Sequence, residues 1–132
     1  MRKQYYILFG LLVVVSFLFQ GCSKEDPLSK LKELVPIFEG SKIIESKVAD
    51  EKTGIIMMEV EGPMKAQKSI LDFYKTKMTN LGWELKSHKD YGKNGSVMEL
   101  VKEDIGTLSV VTILKKTEKT GIIPVTLNLS IN

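Results

Sequence analysis

The sequence predicts an α+β domain. It should hold an antiparallel sheet of about six strands, in the order β-β-α-β-β-β-β, packed on one main amphipathic helix, with a short helix ahead of it. Three observations predict this. Short runs rich in β-branched residues recur from residue 41 onward, separated by glycines and polar turns. One stretch, "PMKAQKSILDFYKTKMTNLGW", repeats apolar residues at helical spacing. The strands also come in runs on either side of that helix, which is an antiparallel and not a βαβ arrangement.

The elements follow in order. Asp26-Pro27 is a helix start, with Asp as N-cap and Pro in the first turn. Leu28, Leu31, Leu34 and Val35 then form one stripe of a short helix that stops before Pro36. Gly40 turns the chain into the first strand. "SKIIESKV" and "GIIMMEVEG" read as a hairpin with a longer loop, "ADEKT", between them. In the second strand Ile56, Met58 and Val60 share one face and Ile55, Met57 and Glu59 the other.

The main helix places Ala66, Ile70, Phe73, Tyr74, Met78 and Leu81 on its apolar stripe, with Pro63 in its first turn and Gly82 as its C-terminal stop. Lys65, Lys68, Lys75 and Lys77 fall on the outward positions, as a solvated helix face. "WELKSH" alternates, with Trp83, Leu85 and Ser87 on one side. "KDYGKNG" is a turn. "SVMELVK", "TLSVVTILK" and "IIPVTLNLSIN" complete the strands. In the last of these Ile123, Val125, Leu127, Leu129 and Ile131 face one way. Pro124 has no N–H and marks an edge or a strand start. The expected core is Ile70, Phe73, Tyr74, Met78 and Leu81 from the helix, with Trp83, Leu85, Val125, Leu127 and Leu129 from the sheet.

The first residues have a different character. "MRKQYY" carries Arg2 and Lys3, and "ILFGLLVVVSFLF" is apolar except for Ser16. This is the layout of an export signal. Its apolar run covers about 20 Å as a helix, short of the roughly 30 Å of a hydrocarbon core. The run ends at Gly21-Cys22, and Cys22 is the only cysteine, so no disulfide forms within the chain.

"LFQGCS" resembles the lipobox of bacterial lipoprotein signal peptides, with Gly21 as the small residue before the cysteine and Leu18 or Phe19 as the apolar position upstream. The resemblance implies a diacylglyceryl group on Cys22 through a thioether and cleavage after Gly21. A third acyl chain on the new amino terminus is also implied. Two chains suffice for stable anchoring, at about 0.8 kcal/mol per buried CH₂. The expected organisation is a signal peptide over 1–21, a lipidated tether with a short helix over 22–40, and a single α+β domain over 41–132. Ser23 after the cysteine implies the outer membrane, facing the periplasm, in a Gram-negative cell. In a single-membrane cell it implies the outer side of the cell membrane.

"ILDFYKTKMTNLGWEL" is similar to a pattern in small, uncharacterised envelope lipoproteins, in which a Phe-Tyr pair is followed by a Gly-Trp. Phe73, Tyr74, Leu81, Gly82 and Trp83 carry it. It implies a strand pair before the helix and strands after it, and no activity.

Composition sets limits on function. Without Arg2 and Lys3 the chain holds 17 basic residues (19 less those two) against 16 acidic ones. Acids and bases are interleaved, which speaks against a nucleic-acid partner. His88 is the only histidine, so no His-based metal site or catalytic triad can be assembled. "GKNGS" is a turn and not a phosphate loop. Glu99, Glu103 and Asp104 read as a solvated cluster, and Tyr74 and Trp83 as core. Met57, Met58 and Met64 read as one adaptable apolar group that fills core.

The sequence thus predicts a non-enzymatic envelope lipoprotein without cofactor or metal. Its partners would be the membrane, through lipid at Cys22, and an envelope protein. The alternative is a periplasmic lipoprotein that binds a small ligand between helix and sheet.

Overall fold

A computed structural model describes residues 26–132. Cys22, Gly21 and the rest of the expected signal segment lie outside the described residues. The architecture is the expected α+β one, with six antiparallel strands and the helices on one face.

Helix α1 (Pro27–Leu34) starts as its sequence dictates. The Asp26 carboxylate accepts from the Leu28 N–H at 3.1 Å and from the Ser29 hydroxyl at 3.0 Å, and Pro27 occupies the first turn. Strands β1 (Lys42–Asp50) and β2 (Thr53–Glu61) form a hairpin. Its connection is shorter than expected. Pairing runs on to Asp50↔Thr53, and the Lys52 N–H donates to the Asp50 carboxylate, which makes the reversal in two residues. This same bond, with that of Thr53, holds the Asp50 carboxyl below its usual range.

A 3-10 turn (Met64–Ala66) leads into α2 (Gln67–Asn80). The helix ends in a Schellman motif. Gly82, at φ 92°, donates its N–H to the Thr79 carbonyl, and the Trp83 N–H donates to that of Met78. This turn swings Trp83 into the core beside Met78. Strands β3 (Glu84–Asp90), β4 (Gly95–Lys102), β5 (Gly106–Ile113) and β6 (Ile122–Ile131) then meander back across the sheet. A short helix, α3 (Thr117–Thr120), in the β5–β6 connection was not expected from the sequence.

The strand order is β1-β2-β6-β5-β4-β3. The chain closes its first hairpin, crosses to the far edge through α2, and returns until β6 pairs with β2. Strand β6 is therefore central. Pro124 fits there because it stands near the strand start: the β5–β6 ladder ends at Thr112↔Val125, one residue short of it.

The two helices share the inner face. Helix α1 packs on β1, β2 and β6, and α2 reaches β3 and β5. The close approach of α1 requires Gly54, where a Cβ would stand 2.7 Å from the Pro27 and Leu28 backbone. Leu31 is 0% exposed and Val35 is buried with it, so the hydrophobic core begins ahead of residue 41 and includes α1. The segment between α1 and β1 is fixed on α2. Phe38 stacks edge-on with Phe73 at 5.3 Å, and its N–H donates to the Tyr74 hydroxyl at 3.2 Å.

Of the expected core, Ile70, Tyr74, Met78, Trp83, Val125, Leu127 and Leu129 are buried, and Phe73 is partly so. Leu81 is 52% exposed, because the helix ends there and Trp83 takes the core position instead. Leu85 is 38% exposed, because β3 is an edge strand and a bulge follows Leu85. Leu71 joins the core from α2.

Candidate functional site

Strand direction decides which connections meet. The β1–β2 turn, the β4–β5 turn and the start of α1 lie at one end of the sheet. The β2–α2, β3–β4 and β5–β6 connections lie at the other. The first end is acidic. Its turns carry Asp50, Glu51, Glu103 and Asp104 against Lys52 and Lys102, and Glu84 and Asp26 add to it. Lys102 is turned to another use, since its ammonium donates to the Leu81 carbonyl at 3.0 Å and caps α2. A shallow cleft of about 460 Å³ lies there, beside Gly82, Glu84, Lys102, Glu103 and Asp104.

The second end is basic. Lys65, Lys93, Lys115, Lys116 and Lys119 are exposed on its connections, with Glu61, Asp90 and Glu118 as the acids there and Glu39 in the α1–β1 connection at the same end. Those five lysines form no ion pair among the described residues. Backbone bonds lock the connections together. The Gly62 N–H donates to the Gly121 carbonyl at 2.8 Å, and the Leu114 N–H to that of Asn94 at 3.1 Å. Between them opens a cleft of about 750 Å³, lined by Pro63, Met64, Lys65, Lys93, Thr117 and Glu118.

The core is sealed at this end by a polar cluster. The Gln67 amide donates to Thr112 at 2.8 Å and to Ser96 at 3.2 Å, and those two hydroxyls lie 2.8 Å apart. Thr117 is buried and donates to the Ile122 carbonyl at 2.8 Å. These bonds satisfy the buried hydroxyls and fix α2 and α3 on the sheet.

The residues singled out in the sequence are dispersed. His88 is exposed on edge strand β3. Tyr74 and Trp83 are buried in the core, and burial pushes the Tyr74 hydroxyl up to about 12. The three methionines form no group: Met58 is in the core, adjacent Met57 points to the opposite face, and Met64 borders the basic cleft. Glu99 lies on the outer face of β4 within 3.5 Å of the Ser87 hydroxyl, apart from Glu103 and Asp104 in the turn. Lys65, Lys68, Lys75 and Lys77 are all exposed, as a solvated helix face requires. Among the described residues no group of His, Cys, Asp and Glu is placed to hold a metal ion. No described helix is long and apolar enough to cross a membrane.

The basic end was missed in the sequence because its lysines lie on three connections far apart in the chain. Alternation within the meander puts the β3–β4 and β5–β6 connections at one end, but that the β2–α2 connection joins them depends on the helix carrying the chain back along the sheet. Compared with family models, curated proteins and solved structures, the chain matches none.

Proposed function

We propose that this chain is a lipoprotein of the bacterial cell envelope, anchored by lipid on Cys22. Its domain serves as a non-enzymatic binding or accessory module of an envelope protein assembly. The observation that carries the reading is the sequence "ILFGLLVVVSFLFQGCS": a short apolar run behind Arg2 and Lys3, stopping at a small residue and the only cysteine. Ser23 favours the outer membrane, facing the periplasm, in a Gram-negative cell.

The domain supports this reading by its polarity. Only four residue steps separate Cys22 from Asp26, at most about 14 Å of extended chain. The short tether thus holds the acidic end of the sheet nearer the bilayer and directs the basic end away from it. The space between helix and sheet is filled by Ile70, Tyr74 and Met78, which favours a surface-binding role over a ligand enclosed there.

Metabolic labelling tests the anchor. Wild type should incorporate labelled palmitate and lose its signal segment, and Cys22→Ser should do neither. Equal labelling and processing of the two would end the lipoprotein reading.

A further inference from the structure

We infer that the basic end of the sheet is a docking surface for an acidic segment of a protein partner, received in the cleft between Lys65 and Lys93. The inference deepens the accessory-module reading and rests on it for which end faces away from the membrane.

Three features of this end define its partner. The first is charge. Lys65, Lys93, Lys115, Lys116 and Lys119 have no ion-pair partners among the described residues and outnumber the acids of their end, whereas acids outnumber bases at the opposite end. Such a patch attracts and orients an acidic partner. The second is apolar anchorage. Tyr91 is 54% exposed in the β3–β4 connection, and Ile113 is exposed at the end of β5. Both flank Gly95: the Tyr91 N–H donates to its carbonyl, and Ile113 pairs with it across the ladder. Of the apolar side chains at this end, Met64 lines the cleft itself, and Ile113 follows the outer-face parity of β5. Exposed tyrosine and methionine are enriched at protein-binding surfaces, and the lysines around them steer an acidic partner. The third is rigidity. The Gly62–Gly121 and Asn94–Leu114 bonds hold the connections in one geometry, so little ordering is required on binding.

Other occupants fit less well. A flat anionic bilayer would meet Glu118 and Asp90 along with the lysines, and in the anchored protein it lies at the other end. A single-stranded nucleic acid stacks its bases on successive aromatic rings, and Tyr91 is the one strongly exposed aromatic ring among the described residues. A cleft lined by Lys65 and Lys93 together with Pro63 and Met64 suits an extended segment that alternates acidic and apolar side chains.

The test uses the full, lipidated chain in nanodiscs of zwitterionic phosphatidylcholine. A fluorescein-labelled synthetic peptide alternating glutamate and leucine is titrated in, and anisotropy is read. Saturable binding is expected. The double variant Lys65→Glu/Lys93→Glu should weaken it by at least about tenfold, and Tyr91→Ala by severalfold. Lys32→Glu/Lys77→Glu makes the same charge change elsewhere and should stay within about twofold of wild type. Circular dichroism melts check that each variant folds, with Lys65→Gln/Lys93→Gln as the milder pair. The inference is overturned by absence of saturable binding or by equal losses in the two charge-reversal pairs. Displacement of the peptide by millimolar inorganic phosphate, or preferential attachment of the basic end to phosphatidylglycerol nanodiscs, would also overturn it. Failure of the lipid anchor shows separately in the palmitate label and leaves peptide binding intact.

Discussion

The two faces of the six-stranded sheet are made by the same strands and differ in burial: one is closed to water and the other half open. The inner face is Ile56, Met58 and Val60 from β2, Met98 and Leu100 from β4, Leu108 and Val110 from β5, and Ile123, Val125, Leu127 and Leu129 from β6, all buried. The outer face alternates with it. One row across the ladder reads Ile55, Asn128, Ser109 and Glu99, and the next reads Met57, Thr126, Val111 and Val97, all half-buried. The difference teaches how much of the stability lies on one side. The inner face excludes water only because α1 and α2 together cover it. The outer face mixes polar side chains with Ile55, Met57, Val97 and Val111 and stays half open to water, as antiparallel sheets allow.

Removing half of the inner cover should have the largest effect. A chain beginning at Ser41 lacks α1, and so exposes the inner side of β2 and β6. It should bind a hydrophobic dye and lose a cooperative thermal transition, whereas a chain beginning at Asp26 should bind no dye and unfold cooperatively. Cooperative unfolding of the shorter chain would show that α2 alone closes the core.

Next in size is Trp83→Ala. It leaves a hole where the Schellman turn delivers a ring 3% exposed, and should lower stability by about 3–5 kcal/mol in urea unfolding. A loss under about 1 kcal/mol would return Trp83 to the surface.

Tyr74→Phe sharpens the comparison with a single oxygen. It leaves the half-buried Phe38 N–H without its acceptor and should cost about 1–3 kcal/mol. It should also change the alkaline limb of the stability curve. Burial raises the Tyr74 hydroxyl from an ordinary value near 10 to about 12. The folded state therefore holds the proton more tightly than the unfolded one. The associated stability is complete below pH 10 and is lost as pH rises through about 12. The variant should fall less steeply over that window than wild type. Parallel curves would place the Tyr74 oxygen in water.

The smallest effect belongs to the outer face. Asn128→Ser and Thr126→Ser should each stay within about 0.5 kcal/mol of wild type, although both lie in the central strand. A loss comparable to that of Trp83→Ala would mean that the outer face is covered in the native assembly.

Much of the fold was legible from local pattern. Period two in Ile123–Ile131 and in Ile56–Val60 placed the inner face correctly, because a pleat sends alternate side chains to opposite sides. Asp26, Pro27 and Gly82 marked helix ends through capping chemistry that needs no tertiary contact. Local pattern failed where an element ends or bends. Leu81 keeps helical spacing but falls on the cap, and Leu85 precedes a bulge on an edge strand. The outward lysines of α2 were also legible from spacing, but Lys93, Lys115, Lys116 and Lys119 were not seen to share an end with Lys65. No periodicity links residues on separate connections.

The sequence by itself determined the class of fold and the number and order of its strands and two longer helices, and it holds a segment ending in Cys22 that resembles a lipoprotein signal. These rest on short-range physics: side-chain alternation, helical repeat, capping and the length of an apolar run. The tertiary structure alone decided that α1 belongs to the core, that β6 is central and that the acidic and basic turns separate to opposite ends. Those outcomes depend on which strands pair after α2 crosses the sheet, and pairing is a long-range choice that no local window of residues encodes.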